Sequence, residues 1–233
     1  QSLVSDFGVR VTADNADAVR DAQVVVLAVK PQLMSGVARA LAPALRQSRP
    51  LVISVAAGIR ADRLQHWLGA DIPVVRSMPN RPALIGAGAS GLYADASVPA
   101  ASRRLAELVL ASTGLTVWVN AEDQIDAVTA LSGSGPAYFF RLAELMAEAG
   151  TALGLDADVA RQLAAQTLAG AGQLVASEAT PDLARMRAEV TSKGGTTEAA
   201  LNTFAAQGFE QLVAAAMAAA ERRSRELAAQ FGD

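Results

Sequence analysis

The feature that most constrains the fold is a change of hydrophobic pattern near residue 121. Before it, short β-branched runs of strand length alternate with helical patterns; after it, only long Ala-rich helical patterns occur. Strand–helix alternation predicts a parallel α/β sheet with right-handed crossovers. We therefore predict an α/β domain over residues 1–120 and an all-helical domain over residues 121–233.

The hydrophobic runs also predict the individual elements. Predicted strands cover 24–29, 51–55, 74–78, 87–93 and 115–119. Predicted helices cover 33–45, 61–68 and 101–111 in the first half, and 121–131, 136–153, 157–177, 181–191, 196–206 and 209–230 in the second. The run Val24–Val29 is continuously apolar, as is Leu51–Val55. Such runs are typical of strands buried on both faces of a sheet.

The first ten residues resemble the end of a helix, followed by a turn at Gly8 and the start of a strand at Val9–Val11. A dinucleotide-binding domain usually opens with a strand, a glycine-rich turn and a helix. No GxGxxG pattern occurs at the start of this sequence. Two alternatives stay open: the opening segment has been removed or is disordered, or the chain is a variant of this domain that lacks the opening strand, turn and helix.

Composition excludes several classes of function. The net charge is -3 and no run of basic residues occurs, which argues against nucleic acid or an anionic membrane as partner. The chain contains no cysteine, which excludes disulfides and catalysis by a thiol. Most kinds of zinc site also need cysteine ligands, so no metal site is expected. Apolar stretches stay far below the roughly 20 residues of a spanning helix, and no signal-peptide pattern opens the chain. We predict a cytoplasmic protein.

Three small or polar segments follow predicted strands, where ligands bind in open α/β sheets. They are Ala28-Val29-Lys30-Pro31, Val55-Ala56-Ala57-Gly58 and Met78-Pro79-Asn80. Small residues would let a flat ring or a ribose approach the backbone closely. Each segment also has a plain interpretation: a solvent-facing lysine before a strand-ending proline, a tight strand-to-helix turn, and an asparagine that caps a turn. Their shared edge of the sheet favours a cofactor site.

Two helix starts in the second half could bind an anion. Leu131–Tyr138 combines glycines and serines with Pro136 at a first helical turn, which is either an anion site or a plain helix cap. In Val190–Leu201, Gly194-Gly195 and Thr196-Thr197 precede an Ala/Leu helix. Free backbone N–H groups and two hydroxyls there suit a small carboxylate. An ordinary junction capped by threonine would not need the preceding serine and lysine.

Taken in order and spacing, these motifs resemble the pyrroline-5-carboxylate reductase family, over residues 7 to about 230. The resemblance implies a Rossmann-like parallel-sheet domain that lacks its first strand–turn–helix, then an all-α dimerisation domain. The implied activity is hydride transfer from NADPH or NADH to the C=N carbon of 1-pyrroline-5-carboxylate, which gives L-proline in the last step of proline biosynthesis. The implied assembly is a homodimer or a decamer built from such dimers.

The resemblance and the motifs together assign site residues. The cofactor-binding residues are Asn15, near the adenosine ribose, and Ala28, Val29, Lys30, Pro31, Val55, Ala56, Ala57, Gly58 and Asn80. The substrate-binding residues are Glu122, Ser192, Gly194, Gly195, Thr196 and Thr197. Thr197 is also the predicted catalytic residue, with its hydroxyl on the ring nitrogen. The lone His66 is predicted to be a surface residue.

Two alternative functions stay open. A β-hydroxyacid-dehydrogenase-like oxidoreductase would share this architecture, but that family has a catalytic lysine where this chain has Phe139. The chain could instead be a non-catalytic dimeric fragment whose helical half assembles while its first half binds nothing. Titration with NADPH or NADH separates the second alternative from an enzyme.

Overall fold

The computed structural model describes residues 2–231. Two compact units divide the chain. The first contains the described residues of Gln1–Ser134 and Ala220–Asp233, and the second is Gly135–Ala219. This division differs from the predicted boundary at residue 120, because residues 121–134 and the chain's C-terminal end pack with the first unit.

The first unit is built on one sheet with the strand order β1-β2-β3-β4-β5. The strands are β1 (Val24–Leu27), β2 (Leu51–Ser54), β3 (Val74–Met78), β4 (Gly88–Ala94) and β5 (Gly114–Trp118). All five predicted strands are therefore confirmed. One pairing differs from the prediction: β3 and β4 are antiparallel, whereas the other neighbours are parallel. The short connection 79–87, with a 3-10 turn at Arg81–Ile85, cannot make the long crossover that a parallel pair needs.

The helices of this unit are α1 (Ser2–Phe7), α2 (Asn15–Val19), α3 (Pro31–Ser48), α4 (Ala61–Leu68), α5 (Ala100–Ala111) and α6 (Gln124–Val128). Both faces of the sheet carry helices, whereas residues 3–7 of α1 are exposed. Helices α2 to α4 contribute to one core cluster with Leu27 and Val52, and α5 contributes to another with Ile53 and Val75. Neighbouring residues of β2 thus point to opposite faces, as the two-residue period of a strand requires.

Two expectations near the start of the chain are wrong. Val9–Val11 is not a strand, and Val11 is 66% exposed, because no strand among residues 2–231 pairs with it. β1 is not buried on both faces: Val26 is 47% exposed, whereas its neighbours Val25 and Leu27, which point to the other face, are buried. The predicted helix end is confirmed, since α1 ends at Phe7 and is followed by Gly8 in the left-handed region with φ of 64°.

The second unit is helical throughout. Its helices are α7 (Gly135–Ala152), α8 (Ala157–Ala176), α9 (Leu183–Glu189), α10 (Thr196–Ala206) and the first part of α11 (Phe209–Phe231), up to Ala219. The predicted helix at 121–131 is shorter than expected: α6 is followed by a π-helical turn at Thr129–Gly133 that leads directly into α7. The Ser134 N–H donates to the Thr129 carbonyl at 2.8 Å, so this segment is not the open helix start that the sequence suggested.

Few side chains of the second unit are buried. Ala160 and Ala164 are the buried apolar side chains among its described residues, whereas Phe139, Phe140 and Leu163 are each more than half exposed. Within residues 2–231, no helix combines the length and apolar character that crossing a membrane requires.

Candidate active site

The first candidate segments lie together at the carboxyl ends of β1 and β2. The Val55 N–H donates to the Leu27 carbonyl at 3.2 Å, which joins the two strand ends. Lys30 is exposed and extended and precedes α3, which begins at Pro31. Ala28 is also exposed, and Ala57 is half-buried. Because Ala28 and Ala57 carry only methyl groups, this edge leaves room for a flat ring close to the backbone.

Gly58 lies where only glycine fits easily. Its φ is +75°, in the left-handed region, and an added Cβ would lie 3.3 Å from the Leu227 carbonyl group and from Phe231 Cδ2. Helix α11 therefore packs directly on the turn that follows β2. This contact explains the glycine without a ligand, and it also fixes the position of the turn.

Asn80 connects two motifs that are distant in sequence. Its Nδ2 donates to the Ser132 carbonyl at 3.0 Å, and its Oδ1 accepts from the Ala89 N–H at 2.9 Å. The end of β3 thereby holds the π-helical turn, and a Cβ on Gly133 would lie 2.6 Å from Met78 Cε. Both polar ends of the Asn80 amide have partners in the chain, and one Nδ2 hydrogen remains for a ligand.

Glu122 lies in a buried cluster of charges rather than on an open surface. Its side chain is 7% exposed, and Oε1 accepts from the Ala61 N–H at 2.7 Å and from Arg76 Nη1 at 3.1 Å. Oε2 lies 3.3 Å from Arg60 Nη2. One carboxylate thus joins β3 to the start of α4. Sequence reasoning missed Arg76, although a charged residue inside an otherwise apolar strand was a signal for it.

The same cluster shifts the titration of its neighbours. Arg60 Nη1 lies 2.6 Å from Asp123 Oδ1. This hydrogen bond raises the pKa of Arg60 and lowers the pKa of Asp123. Burial, and then the charge of Glu122, raise the pKa of the Tyr93 hydroxyl. Arg60 and Asp123 are therefore held in their ionised forms at neutral pH, and the Tyr93 hydroxyl stays protonated.

Asn15 lies apart from the strand ends in the fold, at the start of α2. Asp14 caps this helix by accepting from the Ala16 N–H at 2.9 Å. The exposed Asn15 side chain lines a shallow cavity of about 590 Å³, together with Ala40 and Leu41 of α3. An exposed amide in a cavity is compatible with a ribose contact.

The predicted carboxylate site is the start of α10, in the second unit. Gly194 has φ of +72°, and the Gly195 N–H donates to the Ser192 carbonyl at 3.0 Å. Within the described residues, the exposed Thr196 and Thr197 hydroxyls have no hydrogen-bond partner, and the first helical bond from this cap is that of the Ala199 N–H. The preceding N–H groups of the first turn are free to bind an anion.

Glu198 is a residue of this segment that sequence reasoning missed. Its Oε2 accepts from the Gly194 N–H at 2.7 Å, which holds the glycine pair against the first turn of α10. A Glu at the third helical position is a known N-terminal signal, so the sequence Thr-Thr-Glu carried the information. His66, predicted at the surface, is exposed, as expected. No group of three potential metal ligands occurs within residues 2–231.

Comparison with known proteins shows which family the chain belongs to. The family model for pyrroline-5-carboxylate reductase dimerisation matches residues 122–227, and the model for NADP oxidoreductase, coenzyme F420-dependent, matches residues 1–58. A pyrroline-5-carboxylate reductase from Pseudomonas aeruginosa is 52% identical over 231 residues, which cover 99% of this chain and 84% of the relative. The chain belongs to the pyrroline-5-carboxylate reductase family.

Solved structures of this family share the fold. The Coxiella burnetii reductase matches with a TM-score of 0.92 at 39% identity, covering 97% of this chain and 83% of that one. The Plasmodium falciparum reductase, solved with NADP bound, matches with a TM-score of 0.79 at 28% identity, covering 93% and 81% of the two chains. These matches confirm the predicted fold class, a Rossmann-like sheet followed by a helical dimerisation domain.

Proposed function

We propose that the chain reduces 1-pyrroline-5-carboxylate to L-proline with NADPH or NADH as the hydride donor. Its family membership supports the reaction. The observation that carries the substrate assignment is the start of α10, where free N–H groups and two unpartnered threonine hydroxyls follow a glycine pair. This donor set matches a small carboxylate.

The cofactor would bind at the carboxyl ends of β1 and β2. The proposed contacts are the segments Ala28–Pro31 and Val55–Gly58, with Asn80 beside them and Asn15 toward the adenosine ribose. When bound, the reduced nicotinamide supplies the hydride. The methyl-sized side chains of Ala28 and Ala57 would let the ring lie close to the sheet edge, and Gly58 keeps the turn compact.

The chain's own task in the reaction is to position the substrate. We assign the carboxylate to the free N–H groups in the first turn of α10, with the Thr196 and Thr197 side chains on the ring. Ser192, Gly194 and Gly195 would shape the loop before this turn, because the N–H groups of both glycines already have acceptors in the chain. Because a protonated imine is already electrophilic, no strong acid is needed. The two reacting carbons need only be held about 3–3.5 Å apart and aligned. Glu122 is assigned beside the substrate by family resemblance.

We also propose that the chain works as a homodimer, or as a decamer of such dimers, in the cytoplasm. Exposed aromatic and aliphatic side chains on α7 and α8 support assembly, since contiguous apolar surface of this kind marks an interaction site. The family model that matches residues 122–227 describes dimerisation. The alternative with a catalytic lysine is disfavoured by Phe139 at that position.

The test follows oxidation of NADPH and NADH in the presence of 1-pyrroline-5-carboxylate, with L-proline measured as the product. We expect stoichiometric oxidation of one cofactor for each proline formed. A protein that assembles but neither binds nor oxidises either cofactor would instead be the non-catalytic dimeric fragment.

A further inference from the structure

A buried arginine in β3 has no part in the proposed reaction, yet it is joined to the proposed cofactor site. Arg76 is 2% exposed in a strand whose neighbours are apolar or small. A buried guanidinium is costly unless it is paired and hydrogen-bonded. Its partner is Glu122, at 3.1 Å, a residue 46 positions later in the sequence.

Glu122 in turn contacts the segment that follows the β2 turn. The same Oε1 that faces Arg76 accepts from the Ala61 N–H at 2.7 Å, and Oε2 lies 3.3 Å from Arg60. Arg60 and Ala61 lie two and three residues after Gly58, the last residue of the segment assigned to the cofactor. Leu227 and Phe231 of α11 lie against Gly58 itself. The turn is thus held by two contacts, one with a carboxylate and one with a helix.

We propose that Arg76 is a positioning residue: acting through Glu122, it holds the turn 55–59 in the shape that binds the nicotinamide cofactor. This inference rests on the proposed function. Removing Arg76 leaves Glu122 without its buried counter-charge, so the carboxylate turns toward Arg60 and solvent. The Ala61 N–H then loses its acceptor, and the turn loses its fixed shape.

The test measures the dissociation constants of NADPH and NADH by fluorescence titration, without substrate. We expect Arg76→Met to raise the dissociation constant of the preferred cofactor at least fivefold, and Arg76→Lys, which keeps the charge, to recover most of that loss. If Arg76→Met does not fold, the double variant Arg76→Met with Glu122→Gln replaces it, because it leaves no unpaired buried charge. The double variant should also raise the dissociation constant of the cofactor at least fivefold.

Arg103 is a matched control for general destabilisation. It donates to the carbonyls of Ala94 and Asp95 and lies over the Trp118 ring, and none of these residues belongs to the turn. Arg103→Met should lower Tm but leave the dissociation constant within twofold of wild type. The inference is overturned if Arg76→Met binds as tightly as wild type, or if Arg103→Met weakens binding equally.

The same titration separates this inference from the proposed function. A wild-type protein that binds neither cofactor overturns both. A wild-type protein that binds cofactor and forms proline, with Arg76→Met equal to it in binding, overturns only the positioning role.

Discussion

The two units of the chain differ in where their apolar side chains lie. In the first unit, the sheet carries a core on each face, and residues such as Ile53 and Leu64 are fully buried. In the second unit, residues of the same kind, such as Leu163 and Leu174, remain more than half exposed. The contrast shows that the sheet unit stabilises itself, whereas the helical unit needs a further surface to bury its apolar side chains.

The largest expected effect is on the core of the sheet unit. Leu64→Ala removes a fully buried side chain from α4 and should lower the free energy of unfolding by about 2–5 kcal/mol. Leu163→Ala, at a site 54% exposed, should change it by less than about 1 kcal/mol in the dissociated chain. Urea denaturation at low protein concentration measures both. Equal losses would mean that the helical unit has a core of its own.

The second effect concerns assembly. Phe140 is 60% exposed and lines an apolar groove of about 700 Å³ between α7 and α8. Phe140→Asp should weaken self-association by about 2 kcal/mol, roughly thirtyfold in the dissociation constant. Sedimentation over a concentration series measures this change. Leu108→Asp, at an exposed residue of α5, is the control and should leave the oligomer intact.

The third effect tests the backbone of the turn 55–59, which is proposed to bind the cofactor. Gly58→Ala forces a side chain into the left-handed region and against α11, and should destabilise the protein by about 1–2 kcal/mol. Gly36→Ala is the matched change inside α3, where a Cβ meets nothing within 4 Å, and should stabilise by about 0.5–1 kcal/mol. Thermal unfolding shows whether each variant is more or less stable than wild type. A stabilised Gly58→Ala would contradict the contact with α11.

Hydrophobic pattern predicted the elements well and their pairing less well. β1 and β2 were predictable because continuous apolar runs of strand length leave few alternatives. The antiparallel direction of β4 follows from the short connection at 79–87, a signal that the hydrophobic pattern by itself does not carry. The failed strand at Val9–Val11 shows that an extended apolar segment becomes a strand only when a partner pairs with it.

The candidate site was predictable as motifs but not as contacts. The glycine–threonine start of α10 and the strand ends carry local signals. The bonds from Arg76 to Glu122 and from Ser224 to Asp126, the latter buried at 2.6 Å, join residues 46 and 98 positions apart. No local pattern encodes which partner a buried charge will meet, so these contacts required the folded structure.

The smallest effect is on acid stability. Arg60 lowers the pKa of Asp123 through their hydrogen bond, so this carboxylate stabilises the folded state above its unfolded pKa. That contribution is lost as pH falls through the lowered folded-state pKa, below about pH 4. Asp123→Asn should therefore lower stability slightly at about pH 6 and have a smaller effect at about pH 2.5. Urea titrations at about these two pH values compare the variant with wild type; an equal difference at both would contradict the ion pair.

The most direct measurement of the central claim is the steady-state kinetics of Thr197→Ala. If the start of α10 binds the substrate, this variant should raise KM for 1-pyrroline-5-carboxylate and lower kcat/KM by more than tenfold. That change corresponds to a loss of transition-state stabilisation of about 1.4 kcal/mol or more. Thr203→Ala is the control, since its hydroxyl bonds the Ala199 carbonyl within the same helix at 3.0 Å. Kinetics unchanged by Thr197→Ala, or changed equally by Thr203→Ala, would remove the α10 start from the active site.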